Sequence, residues 1–125
     1  MLKKIAMVLC FSGSIVLFMH ISCYSQERHD PGTPYYYGTW TGYHIPLKPS
    51  HPLTYEAAMK RTAYYVGYYD DQGRLVSFTE YVKGEILFSS KYYYRDSDIL
   101  EREERIDENG ETKLYYFDEN GKPIK

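Results

Sequence analysis

Cysteine is nearly missing from this chain, with two in 125 residues, Cys10 and Cys23, both near the start. The rest of the chain therefore has no disulfide to brace it and no thiolate to serve as nucleophile or metal ligand. An excess of basic charge is missing too: 15 Lys and Arg stand against 17 Asp and Glu, for a formal net charge of −2. That balance argues against nucleic acid and against anionic membrane surfaces, since both select basic patches. Leu, Ile and Val are sparse after the first twenty residues, and the only long apolar stretch, residues 5–19, is too short to span a bilayer comfortably. What the chain has in quantity is tyrosine, sixteen in all.

The apolar stretch follows Lys3-Lys4 and precedes a turn-rich region, the pattern of a secretory signal peptide over residues 1–25. Cys23 and Ser25 supply small residues for cleavage before Gln26. The alternative is cleavage before Cys23, where His20-Ile21-Ser22 precedes it as in a bacterial lipobox, with lipid attached to Cys23. Either cut leaves 13 basic and 17 acidic residues, a charge of −4. The expectation is an exported protein of the periplasm, outer membrane or extracellular space, meeting a membrane only through its signal peptide or a Cys23 lipid. Residues 26–34, with Pro31, Gly32 and Pro34, form a flexible lead-in, and residues 35–125 form one β-rich domain.

Repetition organises that domain. Asp70-Asp71-Gln72-Gly73, Asp107-Glu108-Asn109-Gly110 and Asp118-Glu119-Asn120-Gly121 read as type I turns closed by a glycine bulge, or as tight Asn-Gly turns. Lys83-Gly84-Glu85 and Arg95-Asp96-Ser97-Asp98 are looser copies. The residues leading into the turns, Tyr69, Val82, Tyr94, Ile106 and Phe117, are 13, 12, 12 and 11 apart, about one strand plus one turn each. Strands are predicted over 63–69, 75–82, 85–94, 99–106 and 112–117. Residues 99–106 carry five charges and also suit a short helix capped by Asp98. The fold class is mainly β: an antiparallel β-meander of about five to seven strands with one short helix.

The front half is less regular. Tyr35-Tyr36-Tyr37-Gly38-Thr39-Trp40 is an aromatic strand candidate, and Pro46 limits the segment after Gly42 to an edge or an extended arm. Lys48-Pro49-Ser50-His51-Pro52 is excluded from regular structure. Thr54 can cap a helix over 55–61, packed on the sheet through Leu53, Ala57 and Met59.

The run Tyr68-Tyr69-Asp70-Asp71-Gln72-Gly73-Arg74-Leu75, followed by Gly84 and Tyr92-Tyr93-Tyr94, resembles the tyrosine-aspartate (YD) repeat of Rhs-type and teneurin-like shells. It is similar, more loosely, to variant MORN repeats. A broader pattern adds Gly42-Tyr43-His44-Ile45-Pro46-Leu47 and the Pro52 to Ala58 segment. It looks like a family of small bacterial exported domains of uncharacterised function, a resemblance that implies a fold and no activity.

No reactive constellation emerges. His29, His44 and His51 lack metal-ligand spacing, and the Asp-Glu-Asn-Gly turns lack the earlier ligands of a calcium loop, so no metal, cofactor or catalytic residue is assigned. Glu101, Glu103 and Glu104, interleaved with Arg102 and Arg105, read as a solvated element with mutual charge compensation. The functional candidates are aromatic: Trp40, Tyr35, Tyr37 and Tyr43 with His44 could stack on sugar rings or receive a protein partner. The expected function is a non-catalytic interaction module of the envelope or exterior with a protein or glycan partner. An immunity or antitoxin-like protein is one alternative. The other is an enzyme on envelope polysaccharide, using two of Glu56, Glu80, Glu85, Glu101 and Glu103.

Overall fold

Three acidic turns share one geometry and set the pitch of the sheet. In the computed structural model, which describes residues 28–42 and 45–125, Asp70 Oδ1 accepts the N–H groups of Gln72 and Arg74, both at 2.9 Å. Asp107 does the same for Asn109 and Glu111 at 2.9 Å, and Asp118 for Asn120 and Lys122 at 2.8 and 2.9 Å. The glycine closing each turn has φ of 82° or 83°, a left-handed conformation that costs a residue with Cβ about 1–2 kcal/mol. These are the bulged type I turns. The degenerate copy keeps the same form with other residues: Arg95 N–H donates to Ile99 O at 2.8 Å, and Asp98 replaces the glycine at φ 71°. At Lys83-Gly84 both φ values are positive, 54° and 82°, which makes that link a two-residue type I′ turn.

These turns join β3 (Ala63–Tyr69), β4 (Leu75–Val82), β5 (Glu85–Tyr94), β6 (Leu100–Asp107), β7 (Thr112–Phe117) and the short β8 (Pro123–Ile124). Ahead of them lie β1 (Tyr35–Thr41), β2 (Lys48–Leu53) and the helix α1 (Tyr55–Met59). All eight strands belong to one antiparallel sheet in the order β2-β1-β3-β4-β5-β6-β7-β8. The charged segment after Asp98 is strand rather than helix, because neighbours on both sides, β5 and β7, complete its backbone hydrogen bonding.

Two strands exceed the expectation. Residues 48–52 do form regular structure: Pro49 pairs with Trp40 and Pro52 with Tyr37. An edge strand has a partner on one side only, so a missing N–H is tolerated there. β8, at the opposite edge, begins with Pro123. In α1, Thr54 Oγ1 accepts Ala57 N–H at 3.0 Å as expected. The helix stops at Met59, however, and it is Ala58 that is fully buried, with Met59 42% exposed. One and a half turns leave little room for more than one inward position.

The first hairpin bends. β1 pairs with β3 only through Tyr35, Tyr36 and Tyr37, while its pairing with β2 runs on to Thr41 and Lys48. Past Gly38 the hairpin therefore leaves the sheet and folds over one face, bringing Trp40, Ile45 and Leu47 against the core. The bend is built from Gly38 and the facing His51. His51 has φ 61°, and its ring Cγ lies 3.2 Å from where a Cβ on Gly38 would stand.

The core under this flap is Tyr37, Tyr69, Leu75, Phe78, Tyr92, Leu100 and Phe117. Phe78 is fully buried and stacks on Tyr65 with ring centroids 5.1 Å apart. Aromatic burial here stands in for the scarce aliphatics, at on the order of 1.5–3 kcal/mol per large side chain. The Tyr37 and Tyr69 hydroxyls meet each other at 2.8 Å, which removes the cost of burying them. One residue of the described lead-in is anchored to the domain: His29 stacks on Tyr69 at 3.8 Å and meets Tyr35 edge-on at 4.7 Å, while its neighbours through Pro34 are exposed.

Candidate functional site

The aromatic group at the front does not form one exposed platform. Tyr37 is a core residue, 5% exposed. Its strand neighbour Tyr35 is half-buried, with its hydroxyl accepting Asp30 N–H at 2.6 Å. Trp40, part of the flap, is half-buried against the core. Tyr43 and His44 lie outside the described residues. Around Tyr35, Tyr36 and Tyr37 there is instead a recess of about 350 Å³, closed by Arg28, His29 and Tyr55.

The open aromatic surface lies on the other side of the sheet. Strand alternation and register put Tyr36, Tyr64, Tyr68, Tyr81, Tyr93 and Tyr116 on the face away from Phe78. Tyr64 stacks on Tyr81 at 5.2 Å, Tyr36 meets Tyr64 at 6.2 Å, and Tyr55 of α1 joins Tyr36 at 5.6 Å. These rings shield Val66, yet they keep an edge in water. Partial burial, then the neighbouring phenols, push the Tyr36 and Tyr64 hydroxyls above the usual tyrosine range. Further along, Arg102 lies over the Tyr93 ring at 4.0 Å, and Lys91 faces Glu104 across β5 and β6. The surface is aromatic with charges of both signs. Its signal in the sequence was the spacing of Tyr64, Tyr68 and Tyr81 at even steps from Val66 and Thr79.

A third feature was missed by sequence reasoning. Glu103, grouped above with solvated charges, is 1% exposed and lies on the core face. Its Oε2 accepts Ser90 Oγ at 2.7 Å and the Nε and Nη2 groups of Arg105 at 3.1 and 2.9 Å. Tyr92 sits opposite it in the register, and burial, with the Glu103 carboxylate second, pushes that phenol up to about 12. Beside the pair opens a recess of about 230 Å³ lined by Ile45, Glu103, Arg105, Tyr115, Phe117 and Ile124, among others. The burial is a matter of parity: Glu103 falls in step with Tyr92 and Phe117, while Glu104 falls in step with Tyr93. Of the other carboxylates considered, Glu85 lines a different recess, together with Glu108, and Glu56 and Glu101 are exposed.

Among the described residues no cluster of three or more His, Cys, Asp or Glu is placed to hold a metal ion. Fold and surfaces together define a small open-sheet β protein, built on bulged hairpins, with one face closed by its own first hairpin and one face open. The chain belongs to DUF6156, a family of unknown function whose model matches residues 29–125. That match begins at the histidine stacked on Tyr69 and agrees with the likeness to an uncharacterised domain family. It lends nothing to a tyrosine-aspartate or MORN assignment of the hairpins. No curated protein and no solved structure matches the chain.

Proposed function

We propose that the chain is a non-catalytic recognition module, exported by its N-terminal signal, that presents the open tyrosine face to a protein partner. One observation carries this reading. The face holds six tyrosines, of which Tyr36, Tyr64, Tyr81 and Tyr93 are held in place by ring or cation–π contact, interleaved with Lys91, Arg102 and Glu104. Rigid amphipathic rings give large contact area at little entropic cost, and are enriched where binding energy concentrates. Recognition through the sheet edges is disfavoured, because β2 and β8 both carry proline, so a partner has the face available rather than a strand to extend.

The test is site-specific photocrosslinking in the native cell, with the crosslinker placed in turn at Tyr68, Tyr93 and Tyr116 and, as a control, at Lys113 on the opposite face. The expected result is one recurrent protein adduct from the three open-face positions and none from the control. It should vanish when the other two tyrosines are changed to Ser in a protein whose circular dichroism is unaltered. Adducts that are equal at all four positions, or absent from the three, count against the reading.

A further inference from the structure

The flap gives the core face of the sheet a second layer, and among the described residues nothing beyond Tyr55 of α1, at the β1 margin, does the same for the open face. A sheet face rich in apolar side chains is stable when another layer covers it. Tyr68, Ile86, Tyr93, Leu114, Tyr116 and Ile124, six of the ten exposed large hydrophobic side chains among the described residues, share this one face. Such clustering marks an interface, where scattered apolar residues would not.

Relief, charge and area say what covers it. Along the central strands β4 and β5 the outward residues are small, Ser77, Thr79 and Ser89, each half-buried. Taller side chains flank this strip, Tyr64 and Tyr68 on β3 to one side, Arg102, Leu114 and Tyr116 on β6 and β7 to the other. The floor is ready for burial: Thr79 Oγ1 and Ser89 Oγ bond each other at 2.8 Å, so a ring laid over them leaves neither hydroxyl unpaired. A two-fold interface needs one patch to carry both projection and recess, because the same patch meets itself. It also needs charges that tolerate their own copy. Lys91 and Arg102 stand here with Glu104, which faces Lys91 in the register and accepts the Tyr93 hydroxyl at 3.4 Å, so the face lacks the one-signed field that would repel a copy of itself. From β1 to β7, strands about 4.8 Å apart and about six residues long outline roughly 30 Å by 20 Å, or about 600 Å² before side-chain relief is added. A standard stable interface buries about 800 Å² per partner, which this face can supply.

Resting on the reading of this face as an interface, we infer that its partner is a second copy of this chain, packed face to face about a two-fold axis that crosses the strip of Ser77, Thr79 and Ser89. The tall side chains flanking the strip in each copy stand over the small residues of the other. The dimer is a two-sheet sandwich with strand directions within about 30° of one another, and its two flaps lie on the outside.

The experiment is sedimentation velocity on the full chain, purified as the cell processes it, at concentrations from nanomolar to high micromolar. The expected species has twice the mass of the chain and dissociates on dilution. Ser77→Arg brings two like charges together near the axis and should leave a monomer with the circular dichroism of the wild type. Should that variant unfold, Tyr93→Ser/Tyr116→Ser removes two exposed anchors and should weaken self-association about tenfold or more, as truncating aromatic anchors does. Lys113→Glu, on the core side, should leave the dimer unchanged. The photocrosslinker at Tyr68 should join two copies of the chain. A monomer at every concentration overturns the inference: if the crosslinker then captures a different protein, the open face is still an interface and only its partner is wrong, whereas no adduct at all removes both readings. A dimer that survives both open-face variants overturns it too, because its contact then lies elsewhere.

Discussion

Changing Glu103 to Ala tests whether the buried pair holds β5 and β6 together. The substitution leaves the Ser90 hydroxyl, 0% exposed, without its acceptor at 2.7 Å, and an orphaned buried hydroxyl costs about 1–3 kcal/mol. Arg105 also loses its partner. Its side chain is 36% exposed, so the guanidinium can turn to water through the recess, and its share falls well short of the 3–5 kcal/mol typical of a fully buried pair. With the methylenes lost from the core side, the total comes to about 2–4 kcal/mol. Ser90→Ala alone should cost about 1–3 kcal/mol by removing a bond to a charged acceptor. The double variant should cost less than the sum by about 1 kcal/mol or more, since the two share one interaction. Urea unfolding followed by Trp40 fluorescence measures all three. A loss under about 1 kcal/mol for Glu103→Ala, or strict additivity, would refute the view that this carboxylate is structurally engaged.

Three further outcomes follow from named contacts. Gly38→Ala should displace the His51 ring and loosen the flap by about 1–3 kcal/mol, read as a red shift of Trp40 emission and faster amide exchange across residues 39–50. Partial burial raises the Asp70 carboxyl, but hydrogen bonds from Arg74 and Gln72 outweigh it and hold the group below the usual range, and backbone N–H groups of Lys122 and Asn120 hold Asp118 there too. The stability these carboxylates contribute is complete above the unfolded value of about 3.9 and is lost as pH falls through their lower folded values. Circular dichroism should therefore hold to about pH 4 and fail below it, and Asp70→Asn should flatten the acid limb. Tyr92, raised to about 12, stabilises the fold fully below the unfolded phenol value of about 10, and that contribution is lost as pH rises through 12. An ultraviolet titration should show a late phenol step near pH 12, and Tyr92→Phe should diminish it while leaving the contribution of Tyr94, whose hydroxyl burial also pushes up.

The repeat makes much of the fold legible in the amino-acid sequence itself. Turn chemistry is local: Asp, Gly and the intervening residues bond one another within five positions, so the hairpin ends can be read directly. Where the outcome depends on distant partners, local rules fail. Residues 48–52 look unfit for a strand until they are known to lie at an edge, and Tyr37 looks available for stacking until Tyr69, thirty-two positions later, is known to meet its hydroxyl. Glu103 was hidden for a related reason. In a strand with charges on both faces, only pairing with Tyr92 and Ser90 reveals which carboxylate is inside.

The prolines at the two rims of the sheet bear on how such a molecule behaves in a crowd. A strand rim with free amides invites the rim of another copy, and at high density that invitation leads to fibres. Here β2, at one rim, carries Pro49 and Pro52, and β8, at the other, starts with Pro123. Crowded copies therefore have proline, rather than an unbroken row of amides, to offer one another at either rim.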